Sequence, residues 1–160
     1  MRSRRGGSPW RGADVGAALL VFGWLGLAAA GSAPAVSYFP ADSVEASFAR
    51  GGVLLRQGSY MIHTSRRVEP GKVEVHTLDT DLIYVVKGSA QFVTGGTLED
   101  GADVAPDEIR GTKLTGGSER TLVPGDVIVV PNGVPHWFRS VSGEFRYYTI
   151  KVRDAHGRQP

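Results

Sequence analysis

The chain has 160 residues, enough for one domain with a real core and too few for two ordinary ones. At 41% hydrophobic and 21% charged it reads as globular, and the absence of cysteine excludes disulfides, zinc–thiolate sites, iron–sulfur clusters and thiol nucleophiles. The net charge of +2 does not mark a nucleic-acid binder: setting aside residues 1–30 removes 4 of 18 basic and 1 of 16 acidic side chains, leaving 14 against 15.

In chain order, residues 1–33 carry the three parts of an export signal. A basic head from Met1 to Arg11 precedes an apolar stretch from Val15 to Ala30, followed by the small residues Ala28 to Ala33. A signal peptide is therefore expected over 1–30, and an exported protein, periplasmic or extracellular. The alternative is an uncleaved membrane anchor, and only then would a membrane be a partner. Four glycines and Pro34 within Val15–Val36 favour cleavage. Residues 31–52 read as a linker and a short helix, which starts at Asp42-Ser43-Val44-Glu45 and stops at Gly51-Gly52.

From 53 to 153 the pattern is all-β. Short runs of strand residues (Val53–Leu55, Tyr60–Ser65, Lys72–His76, Leu82–Val86, Ala90–Thr94, Thr121–Leu122, Val127–Val130, His136–Arg139 and Phe145–Val152) are separated by turn residues such as Pro70-Gly71, Lys87-Gly88, Asn132-Gly133 and Ser142-Gly143. Residues 97–120 are polar and glycine-rich, an excursion or hairpin between two groups of strands. A sandwich or barrel is the expected architecture, with 154–160 as a flexible tail.

Two stretches carry chemistry. Gly125 to Ser140 contains Gly125, Pro131, Gly133 and His136 at spacings that place a strand, a tight turn and a returning strand. Glu74 to Gly88 contains Glu74, His76, Asp81 and Gly88. The first of these resembles the second motif of the cupin superfamily, with Ser140 where that motif ends in Asn. The other resembles the first cupin motif, with Glu74 in place of its first histidine and Asp81 in place of its glutamate. The resemblance implies a small cupin-type β-barrel, or jelly roll, and the homodimer common in that superfamily.

Alternation along a strand puts Glu74 and His76 on one face, while Asp81 and His136 arrive from neighbouring strands. Two imidazoles with one or two carboxylates suit a divalent transition metal held by His76, Asp81 and His136, with Glu74 as a fourth ligand. Fe(II) or Mn(II) is favoured by the oxygen ligands, with Zn(II) and Ni(II) open. Parity places Phe138 and Ser140 with His136, and Ile83 with Asp81, as candidate pocket residues. Tyr148, Ile150 and Val152 are expected to face the core. Tyr147, Thr149 and Lys151 then face solvent or the cavity; solvent is preferred, because lysine is rarely buried unpaired, and Tyr147 and Lys151 are pocket candidates in the other case. His63 is read as an ordinary strand residue, and Glu108 and Arg110 as a surface pair.

The resemblance makes a metal-dependent oxygenase the first expectation, with isomerase or decarboxylase behind it and a small organic molecule as ligand. The rivals are a non-catalytic binder of a small ligand or metal and a metal-free structural dimer.

Overall fold

The computed structural model describes residues 35–153. The leader expected over 1–30 and the tail expected over 154–160 lie outside the described residues. The chain opens with α1 (Ala41–Arg50), where Asp42 accepts a hydrogen bond from the Ser43 amide and Gly51 ends the helix. Phe48 and Ser47 form its buried face: Phe48 meets Tyr148 edge-on with ring centroids 5.0 Å apart, and Ser47 Oγ lies 2.7 Å from Thr64 Oγ1.

Eleven strands follow. They are β1 (Gly52–Gln57), β2 (Tyr60–Arg67), β3 (Val73–His76) and β4 (Asp79–Thr94), then β5 (Thr97–Glu99), β6 (Ala102–Ala105), β7 (Glu108–Gly111) and β8 (Lys113–Thr115). β9 (Ser118–Leu122), β10 (Val127–Val130) and β11 (His136–Arg153) complete the described residues. The main sheet runs β1-β2-β11-β3-β7-β6, and β4 pairs with β11, β10 and β9. The ladders are antiparallel, and β5 pairs with β8 in a small separate sheet. The expected all-β barrel with one short helix is the architecture observed. Among the described residues no helix is long and apolar enough to cross a membrane.

Two expected turns prove to be bends inside long strands. Lys87-Gly88 lies within β4 and Ser142-Gly143 within β11, and the two face each other where the β4–β11 register slips between Ser142 and Arg146. Gly88 has φ 75°, and a Cβ there would run into the carbonyl of Glu144, so glycine allows the two strands to corner together. The polar excursion supplies β5 to β8, of which β7 extends the main sheet beside β3.

Behind this corner an apolar core closes one end of the barrel. Phe92, Phe138, Phe145 and Tyr147 pack with centroids 4.5–5.4 Å apart, joined by Ile83, Val85, Leu122 and Val130. Burial of four aromatic side chains gives this plug most of its driving force, since each ring removes a large apolar area from water. Trp137 packs on a second apolar cluster of Val73, Val93 and Leu114 and donates from Nε1 to the Gly71 carbonyl at 2.8 Å.

Candidate metal centre

The turn between β10 and β11 explains how the two motifs meet. Gly133 adopts φ 76°, a conformation that favours glycine, and its amide donates to the His76 carbonyl at 2.7 Å. The turn of one motif is thus tied to the strand of the other. His136 then opens β11 directly opposite Glu74 on β3. Cross-strand neighbours have Cβ atoms about 5 Å apart, and Glu74 and His76 share a face of β3. One carboxylate oxygen of Glu74 and one ring nitrogen each of His76 and His136 consequently lie within 4.8 Å of one another.

His136 is only 4% exposed. Its Nδ1 lies 3.2 Å from the Val134 carbonyl, and because a carbonyl only accepts, Nδ1 carries the proton and Nε2 keeps its lone pair. Burial pushes its pKa below the usual histidine value, so the ring is held neutral. The His76 and His136 rings sit 5.2 Å apart between centroids. Two imidazoles and a carboxylate converging at this separation fit a divalent transition ion, whose ligand atoms lie about 2.0–2.2 Å from it.

Asp81 stands beside this group without joining it. Its register partner on β11 is Lys151, whose Nζ donates to Oδ1 at 2.7 Å, while Oδ2 lies 3.4 Å from His76 Nε2. The structure therefore gathers Glu74, His76 and His136, and commits Asp81 to a buried ion pair.

These groups open into a cavity of about 220 Å³. Of the expected pocket residues, Ile83, Phe138, Tyr147 and Lys151 line it. Ser140 does not. Arg139 is an extra residue on β11, so that Phe138 faces Phe92 but Ser140 faces Gln91, and this bulge breaks the alternation and leaves Ser140 exposed. The preference for a solvated Tyr147–Thr149–Lys151 face is also corrected: Tyr147 and Thr149 are buried and all three line the cavity, whereas Val152 is exposed. Lysine is tolerated there because Asp81 neutralises it.

The sequence reading missed the contribution of β2. His63, Ser65 and Arg67 alternate into the cavity, opposite Thr149, Tyr147 and Phe145 of β11. Burial lowers the pKa of His63, and burial raises that of the Tyr147 phenol. The signal was the polar alternation His63-x-Ser65-x-Arg67, but both faces of this strand mix polar and apolar residues, with Met61 on one and Ile62 on the other, so the pattern alone names no inside. Glu108 and Arg110, expected as a surface pair, are indeed paired at 2.7 Å; they also line the cavity, with Arg110 3.5 Å from Glu74.

Residues 60–158 match the family described as Cupin. Among solved structures, the chain resembles a cupin 2 conserved barrel domain protein from Salinispora arenicola, at 18% identity and TM-score 0.45 over 66% of this chain and 75% of that one. It resembles hydroquinone 1,2-dioxygenase in complex with Cd2+ and 4-hydroxybenzonitrile at 14% identity and TM-score 0.50, over 66% of this chain and 64% of that one. It also resembles a DMSP lyase from Ruegeria pomeroyi at 18% identity and TM-score 0.47, over 66% of this chain and 47% of that one. Among curated proteins none matches the chain. Likeness at these identities concerns the fold, which hosts many chemistries. The family match, however, spans more than half of the chain and contains both motifs described above: this protein belongs to the cupin family.

Proposed function

We propose that this cupin holds a divalent transition metal on Glu74, His76 and His136 and acts as a metal-dependent enzyme on a small organic molecule in the same cavity. Oxygenase chemistry stands ahead of isomerase or decarboxylase chemistry. The observation that carries the reading is the convergence of three ligand atoms from β3 and β11 within 4.8 Å, at the wall of a 220 Å³ cavity. Two imidazoles and a carboxylate favour Fe(II) or Mn(II) over Zn(II) or Ni(II). When bound, such an ion supplies a Lewis acid with open positions for substrate or dioxygen.

The chain's own residues have separate tasks. Val134 orients His136 through its carbonyl, and the Gly133–His76 hydrogen bond fixes the distance between the two histidine strands. Phe92 packs on the His136 and Phe138 rings, with centroids 6.0 and 4.5 Å away, and backs that side of the site with apolar surface. Lys151 holds Asp81 against His76, where its carboxylate favours the orientation of that ring.

A second reading, a non-catalytic binder, is favoured by one observation: each carboxylate lining the cavity is engaged by a cation, so among the described residues no unpaired carboxylate stands beside the group to act as a general base. Metal analysis of untagged protein separates these readings from a metal-free barrel. About one ion per chain is expected, lost in His136→Ala; protein that takes up no metal even on reconstitution rules out the metal-dependent readings. Oxygen uptake with candidate substrates, compared between wild type and His136→Ala, separates enzyme from binder, and equal uptake rules out catalysis at this site. Export with cleavage of the leader over residues 1–30 is part of this proposal, and a mature N-terminus at Met1 in mass spectrometry of exported protein would contradict the cleavage.

A further inference from the structure

We infer that the cavity takes a small organic carboxylate with an apolar body, and that Arg67 is the residue that binds its carboxylate. The inference deepens the proposed function and rests on that reading for the metal. Three carboxylates and three cations line the cavity. Lys151 is paired with Asp81 at 2.7 Å, and Arg110 with Glu108 at 2.7 Å and Glu74 at 3.5 Å. Arg67 alone has no carboxylate within 4.0 Å among the described residues. A divalent ion would add positive charge to a lining whose side-chain charges already cancel, so the loaded site calls for an anion.

Arg67 is also held in place. Its Nε donates to the Tyr147 hydroxyl at 2.8 Å, and its guanidinium lies over the Phe138 ring, 5.1 Å from the centroid. On another side it lies against Gly71, where even a Cβ would come within 2.9 Å of Nη1. These contacts consume Nε and leave the two terminal nitrogens without an acceptor among the described residues. A guanidinium pre-organised in this way meets the two oxygens of a planar carboxylate with little loss of side-chain entropy. A phosphate, carrying more charge, would call for further unpaired cations, and this lining offers none. The surfaces next to Arg67 are the rings of Phe138 and Tyr147, 4.8 Å apart, with Ile83 beyond them, which suits an apolar body between Arg67 and the metal residues.

The test is isothermal titration calorimetry of metal-loaded wild type, Arg67→Gln and Arg67→Lys with benzoate, butyrate, the neutral isostere benzamide and inorganic phosphate, with metal content measured on each protein. Benzoate or butyrate is expected to bind wild type at least about ten-fold more tightly than benzamide or phosphate. Loss of the guanidinium in Arg67→Gln should weaken that binding by about ten- to hundred-fold with metal content unchanged. Arg67→Lys, which keeps the charge without the fork, should fall between them and serves if Arg67→Gln does not fold. Wild type that binds neither carboxylate, that binds benzamide equally well, or whose carboxylate affinity is untouched in both variants overturns the inference. Carboxylate binding that depends on Arg67 in a chain that takes up no metal would instead sink the metal reading and leave Arg67 in its role.

Discussion

Glu74 and Asp81 show how one register pair decides the role of a carboxylate. Both were legible as ligand candidates, because they share a spacing pattern with His76. Glu74 faces His136 across β3 and β11, whereas Asp81 faces Lys151 across β4 and β11. The Lys151 partner lies 70 residues from Asp81, and no local pattern announces it. Asp81→Asn is therefore expected to retain the metal stoichiometry of wild type, while Glu74→Gln loses it, as read by elemental analysis of the purified proteins. Asp81→Asn should also cost about 1–3 kcal/mol of stability in urea titration, because Lys151 is left largely buried without its counter-charge. Metal lost from Asp81→Asn and kept by Glu74→Gln would reverse the assignment.

The strands illustrate a different limit. Turn residues at Lys87-Gly88 and Ser142-Gly143 were visible, but a positive-φ glycine serves a chain reversal and a strand bend equally well. Here β4 and β11 bend together, and Gly88 passes too close to Glu144 for any side chain. Gly88→Ala should thus cost about 2 kcal/mol or more, seen as a lower urea midpoint at unchanged slope. A neutral effect would show that the corner has room. The bulge at Arg139 has the same origin: one extra residue on β11 turned Ser140 outward, where strict alternation had placed it inside. On β2, alternation was present but undirected, and only pairing with β11 gave His63, Ser65 and Arg67 their inward side.

Charges that looked scattered along the chain converge once the barrel closes. Glu144 accepts from Arg66 of β2 at 2.7 Å, Lys87 of β4 at 3.3 Å and Arg146 of β11 at 2.6 Å, and Arg146 reaches Glu45 of α1. Arg66 first, then Lys87 and Arg146, hold the Glu144 carboxyl at a pKa of about 2, below its ordinary 4.5. A lowered folded-state pKa contributes stability that is fully present above 4.5 and is lost as pH falls toward about 2. The melting temperature of wild type should accordingly fall more steeply across that window than that of Glu144→Gln, and parallel curves would deny Glu144 this role. Arg153 similarly ties Asp79 and Asp107, joining the start of β4 and the loop before β7 to the end of β11.

What could be read from residue order was local: strand content, the helix stop at Gly51, the Pro131–Gly133 turn, and two histidines whose spacing matches a known pair of motifs. These depend on neighbours within a few positions, where φ preferences and two-residue alternation act directly. The grouping of Glu74, His76 and His136, the Lys151–Asp81 pair and the setting of Arg67 against Tyr147 and Phe138 depend on registers between strands far apart in sequence. A shift of one residue reverses every side chain, so such contacts exist only once β11 has been laid against β2, β3 and β4.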